Sequence, residues 1–366
     1  MKLKYLFIAL LFSGFSTVQA QDFHNSFFQF APAVVSPSLT GAFYGNLRVN
    51  AIVRDEGRTV TNGDGFLDLS LMLDYNIDFG FTEGDWVSIG GAFSRSSNAG
   101  VGAFRRQFAG VLGAYHLAFG KRHDKVFSVG VKYGSYQQGP TNQDITAYQD
   151  PFGLAIGEVS GDLAQWLSST ALSQPDAEFK TTSDYAIGLS LDAPLGKSAD
   201  IRIGIAGDHI FEPRLSVPSP DSTGMNPNPV PNPQTRVENL NRRINAYVFL
   251  YTDINNRLGF NPNIILQRQG VSTNVVAQAL FSYAYKPEQQ INFLFGFGAR
   301  FVNDFDIPLY LAYDTKDLRV GLSYDVNIGP LRPSSSTVGA FELAVTKLFN
   351  WHKKPEVEPK FICPRL

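Results

Sequence analysis

Between Leu47 and Phe349 the chain alternates repeatedly between apolar and polar positions with a period of two. In one stretch Leu67, Leu69, Leu71, Leu73, Tyr75 and Ile77 share one parity, and Asp68, Ser70, Met72, Asp74 and Asn76 the other. Successive side chains of a strand point to opposite faces, so this stretch predicts a strand with one oily and one wet face. Its eleven residues match the ~9 to 11 that a tilted membrane-spanning strand needs. A mean globular strand is about half as long. Near the end of the chain Leu318, Val320, Leu322, Tyr324 and Val326 alternate with Arg319, Gly321, Ser323, Asp325 and Asn327 in the same way. A soluble sandwich would show the same alternation in any one strand, so recurrence carries the argument.

The pattern predicts strands at 47–54, 67–77, 86–97, 107–119, 126–138, 181–193, 200–211, 241–253, 259–268, 272–285, 291–302, 308–315, 317–327 and 338–349. About fourteen strands, an even number, predict an all-β fold: a transmembrane antiparallel β-barrel with two long extracellular loops. If the chain enters from the periplasm, the inward turns are all short, and the insertions 139–180 and 212–240 both face outward. The first insertion carries apolar residues, Phe152, Leu154, Ile156, Trp166 and Leu167, which predict a lid over the barrel mouth or a partner surface. The second holds Pro218, Pro220, Pro227, Pro229, Pro231 and Pro233 and favours extended, polyproline-like chain. Trp86, Phe349 and Trp351 fall at the inward strand ends, where aromatic rings favour the headgroup boundary.

What precedes the strands changes the compartment. Lys2 and Lys4, an apolar run from Tyr5 to Phe12, and Val18-Gln19-Ala20 make residues 1–20 a secretory signal peptide, with cleavage expected after Ala20. Residues 21–46 follow as a lead-in too broken by Pro32, Pro37 and Gly41 for a long helix or strand. The barrel is expected over 47–349 and a periplasmic tail over 350–366. A formal net charge of −2 gives no electrostatic case for nucleic acid, and the single cysteine, Cys363, excludes an intramolecular disulfide. The expected surroundings are outer-membrane lipid.

No pattern for enzymatic chemistry stands out. The five histidines are scattered, and GxSxG, HExxH and Walker patterns are absent, so neither a catalytic residue nor a metal or other cofactor is expected. The polar parity instead assembles Asp68, Asp74, Asp184, Asp192, Arg202, Arg319 and Asp325, which are expected to form a polar network in the lumen. The tail runs through a charged spacer interrupted by Pro355 and Pro359 to Phe361, Ile362, Cys363, Pro364, Arg365 and Leu366. A spacer of this kind cannot continue a strand in lipid, and the end reads as a short docking peptide or a frayed terminus.

Both ends of the mature chain resemble the PorP/SprF family of type IX secretion and gliding-motility outer-membrane proteins. The residues concerned are Phe27-Phe28-Gln29-Phe30-Ala31-Pro32 with Ser36-Pro37-Ser38-Leu39-Thr40-Gly41, the strand Arg48 to Asp55, and the closing Gly321-Leu322-Ser323-Tyr324-Asp325-Val326-Asn327 and Gly339-Ala340-Phe341-Glu342-Leu343. Here Ser36-Pro37-Ser38 stands where the family usually has Asn-Pro-Ala, and neither long insertion carries any resemblance. The resemblance implies a barrel that works with other type IX secretion components. Its implied task is the export or anchoring of surface adhesins through their C-terminal domains, or linkage to the periplasmic machinery. Similar Cys-Pro-Arg endings occur in the family, which implies a docking role for the tail. A porin-like or hydrophobic-substrate channel is the alternative reading of the same strand pattern.

Overall fold

The computed structural model describes residues 25–56, 66–77, 79, 81, 84–98, 104–120, 123–140, 181–218, 235–301, 305–329 and 338–351. The expected signal peptide, the apolar segments around Phe152 and Trp166, the center of the Pro-rich insertion and the tail residues Phe361 to Leu366 lie outside the described residues.

Strand formation follows the period-two pattern. In chain order the strands are β1 (Leu47–Glu56), β2 (Phe66–Ile77), β3 (Trp86–Asn98), β4 (Phe104–Phe119), β5 (Lys125–Pro140), β6 (Thr181–Pro194), β7 (Ala199–Asp208), β8 (Arg214–Pro218) and β9 (Thr235–Asn239). There follow β10 (Arg243–Asp253), β11 (Leu258–Gln269), β12 (Ser272–Lys286), β13 (Ile291–Phe301), β14 (Phe305–Asp314), β15 (Leu318–Asn327) and β16 (Val338–Phe349). All but β8 and β9 close into a barrel of fourteen antiparallel strands. Closure is made by β1, in which Leu47 stands opposite both Tyr75 of β2 and Phe349 of β16. With every strand paired on both sides there is no open edge, the condition a sheet must meet to sit in lipid.

The two faces separate as the parity dictates. Leu71, Leu73, Val111, Val131, Ile205, Phe297 and Leu311 are exposed on the outside, whereas Asp74, Ser88, Ser128, Asn245, Asp325 and Glu342 are buried on the inside. Among the described residues no helix is long and apolar enough to cross a membrane. The apolar band therefore belongs to the strands. One rim carries the short connections, such as 195–198 and 254–257, and the other carries the connections 141–180 and 209–242. Within the second of these, β8 and β9 pair as a separate two-stranded sheet with Arg214 opposite Asn239. This corrects the expectation of polyproline-like chain for the flanks of that insertion: Arg214-Leu215-Ser216-Val217 and Thr235-Arg236-Val237-Glu238 alternate and find each other, and only the stretch between them is Pro-dense.

The lead-in does not lie outside the barrel. Residues 25–46 thread its interior as a 3-10 turn (Phe28–Phe30), a one-turn helix α1 (Pro32–Val35) that starts on a proline, and a second 3-10 turn (Pro37–Leu39). Pro32 and Pro37 stand where a helix lacks an internal acceptor for its first N–H groups, so their missing donors cost nothing. Phe27 and Phe30 pack edge to face at 4.6 Å and bury themselves with Ile52, Leu280, Leu294 and Tyr310. On the other side Phe28, Val35 and Leu39 pack with Tyr247, Phe249, Ile265 and Val276. The barrel thus has a hydrophobic core, and the N-terminal segment supplies seven of the eighteen buried residues in these two clusters.

Candidate functional site: a lumen filled by the N-terminal segment

Space for the segment is made by glycines of the wall. A Cβ on Gly130 would stand 2.3 Å from the Pro37 carbonyl, and one on Gly188 2.2 Å from Ser36 Oγ. Neither clash is compatible with the segment staying where it is. Gly41, where the segment turns toward the rim of short connections, has φ +72, a left-handed conformation that favours glycine.

The wall reads the segment mainly through its backbone. At its start, near the rim of long connections, Glu342 accepts the N–H of Ser26 at 2.7 Å and that of Phe27 at 2.8 Å. The Ser26 carbonyl accepts from Gln278 at 2.8 Å and from the Tyr310 hydroxyl at 3.1 Å. In the middle, Asn245 donates to the carbonyls of Val34 and Val35. Toward the other rim Arg48 donates to Leu39, His116 Nε2 to Thr40 and the Trp86 indole to Gly41, and Asn76 donates to Phe43 and Gly45. Buried backbone groups outside regular structure need such partners, because each left unpaired costs ~1 to 3 kcal/mol.

The polar residues foreseen from the sequence all occur on strands of the wall, but they fall into separate groups. Asp325 belongs to the group at the start of the segment: its Oδ2 lies 2.8 Å from Arg54, 3.0 Å from Arg300 and 2.7 Å from Ser26 Oγ. Arg54 also reaches Glu342 at 2.7 Å and Glu56 at 2.8 Å, and Arg300 reaches Asp306 at 2.6 Å. Asp68 stands opposite Arg54 in the ladder between β1 and β2. A second group joins Asp74 to Arg48 at 2.6 Å and to the N–H of Gly41 at 2.6 Å. Elsewhere Asp192 pairs with Arg202, Asp184 with His209 at 3.0 Å, and Arg319 with Asp314 at 3.0 Å. Glu342, Arg54 and Arg300, which hold the segment most directly, were missed from the sequence as a set. Their parity was the available signal, since Glu342 lies between the inward residues Ala340 and Ala344.

Trp86 needs correcting. It opens β3 at the expected rim but points inward, 7 % exposed and stacked 4.4 Å over His116, because it shares the parity of Ser88 and not that of Val87 and Ile89. Trp351 does lie on the outside, stacked on Tyr75 at 6.1 Å. Among the described residues no group of three His, Cys, Asp or Glu side chains is placed to hold a metal ion.

A closed barrel with this inner segment can be compared with known proteins. The family model described as type IX secretion system membrane protein PorP/SprF matches residues 17–346. The chain belongs to the PorP/SprF family. As a member it is an outer-membrane protein, a placement that agrees with the apolar outer face of the barrel. No curated protein matches it. Among solved structures, a TodX deltaS2S3 mutant monoaromatic hydrocarbon channel has a TM-score of 0.51 at 12 % identity, covering 87 % of this chain and 94 % of that one. The CymD monoaromatic hydrocarbon channel has a TM-score of 0.50 at 9 % identity, covering 87 % and 93 %. At such identity the likeness is one of fold: this PorP/SprF protein shares the architecture of outer-membrane barrels.

Proposed function

We propose that this PorP/SprF protein is a sealed outer-membrane barrel that assists the export or surface anchoring of adhesin-type proteins by binding protein partners. The observation that carries the reading is the lumen packed by residues 25–46, which leaves the rims and connections as the surfaces available for work. The rim of long connections faces outward, where Phe152, Leu154, Ile156, Trp166 and Leu167 are offered to a C-terminal domain of a secreted adhesin. The tail faces the periplasm, where Phe361 to Leu366 dock on other components of the secretion machinery. Asp74, Asp184, Asp192, Arg202, Arg319 and Asp325 act inside, holding the filled lumen together by pairing, and Asp68 joins them from its place opposite Arg54. A channel for small solutes is the competing reading, and the filled lumen weighs against it.

Copurification tests this. Truncation after Lys354 should leave insertion and heat-modifiable migration unchanged while abolishing association with the periplasmic components and display of the adhesin. Deleting residues 145–175 should spare the barrel and weaken capture of the secreted protein. Cys363→Ser separates a thiol mechanism, which it would abolish, from recognition of shape and charge, which it would spare. If both the truncated and the loop-deleted proteins support full adhesin display, the reading fails.

A further inference from the structure

The inner segment has a direction, and its two ends lie at opposite rims. Ser26 is held by Arg54, Arg300, Asp325 and Glu342. Arg54 is two residues from the last of β1, Arg300 is next to the last of β13, Asp325 is two from the last of β15, and Glu342 is four from the first of β16. All four of those strand ends belong to the rim of long connections. The segment finishes at the other rim, where Asn76, next to the last residue of β2, donates to the carbonyls of Phe43 and Gly45, and the Asn46 N–H donates to Phe349. The chain therefore runs the length of the lumen in one direction before β1 takes it back along the wall.

Whatever precedes Ser26 has one way out. At ~3.3 Å per residue, Arg54 lies about 7 Å along its strand from the rim of long connections and about 23 Å from the other end, where β1 begins at Leu47. The longer way is already taken by residues 27–45, packed so closely that a Cβ on Gly130 or Gly188 would collide with them. There is no room beside them for a second pass of chain. Cleavage after Ala20 leaves four residues, Gln21 to His24, ahead of Asn25. Four residues span at most about 14 Å, enough to clear the near rim and too little to reach the far one.

We infer that the amino end of the exported chain emerges at the rim of long connections and is displayed on the cell surface, although the chain enters the membrane from the periplasm. The outward surface then comprises the amino end as well as the connections. Because Ser26 is gripped at once from β1, β13, β15 and β16, the wall closes around a segment already in place. The inference rests on the outward orientation of that rim and on cleavage after Ala20. It stands whether or not the protein works through partners.

Cysteine labelling on intact cells tests this. In a Cys363→Ser background, which removes the chain's single native thiol, Asp22→Cys should react with a membrane-impermeant maleimide to the same extent before and after permeabilisation. Lys197→Cys, in the short connection 195–198 of the other rim, should react only after permeabilisation. Where the Asp22→Cys protein fails to accumulate, an epitope tag inserted between Gln21 and Asp22, read by antibody on intact cells, decides in its place. The inference is overturned if position 22 stays unlabelled on intact cells, if position 197 is the one labelled there, or if both are labelled equally in cells that retain their periplasmic enzymes. None of these outcomes bears on adhesin display, so a failure here is distinct from a failure of the partner-binding role.

Discussion

Glu342 holds the start of the inner segment. Its carboxylate accepts two consecutive backbone N–H groups, the Ser323 hydroxyl and the Arg54 guanidinium, all out of contact with water. Removing one member of a buried charge group leaves its partner uncompensated, at a cost of about 3 to 5 kcal/mol. Glu342→Ala should therefore lower the urea midpoint for unfolding from lipid vesicles and open the Ser26 to Phe30 region to protease, while Glu342→Gln, which still accepts hydrogen bonds, should do less. Equal effects of the two substitutions would mean that the charge carries the whole contribution and that hydrogen-bond acceptance alone adds nothing there. At this scale the sequence was partly legible. Parity alone identifies Asp74 and Asp325 as inward residues. It cannot say that Asp325 meets Arg54 and Arg300, because these pairs join strands that are not neighbours, whereas Asp74 meets Arg48 directly across the ladder of β1 and β2. Trp86 was misplaced because its position at a strand end was weighed and its phase was not.

At the scale of elements, the strands were the most legible part, since each is long and carries its own alternation. The hairpin of β8 and β9 was missed because its strands are short and prolines dominate the composition of that insertion. The place of residues 25–46 was the largest gap. Their Phe, Pro and Ser residues rule out a long regular element, yet nothing local says that the surface awaiting Phe27, Phe28 and Phe30 is the inside of the same chain's barrel. The cue was on the barrel side: Tyr247, Phe249, Tyr251, Ile265 and Val276 are apolar at inward positions, which a water-filled lumen would not select. The fit between segment and wall can be tested at Gly130. Gly130→Val keeps a good strand residue on β5, whose own pairing is undisturbed, but drives a side chain into the Pro37 carbonyl. Hydrogen exchange should then quicken for the amides of Leu39 and Thr40, which bond to Ser36 and Pro37, with the strand amides of β5 unchanged. Unchanged protection of Leu39 and Thr40 would show that the segment is not seated against that glycine.

For the whole molecule, strand number, closure and the asymmetry of the two rims all follow from counting period-two stretches, and so were readable in the sequence. Whether the interior is open or filled was not, because that is a property of contacts between residues hundreds of positions apart, such as Ser26 with Asp325 and Glu342. The account rests on that point: a filled barrel works through its surfaces and an open one through its bore. Conductance in planar bilayers tests it directly, with the full-length protein beside a variant lacking residues 25–43. The full-length protein should carry no steady current, and the deletion variant, inserted and heat-modifiable, should open a stable pore. A steady open channel in the full-length protein would contradict the account.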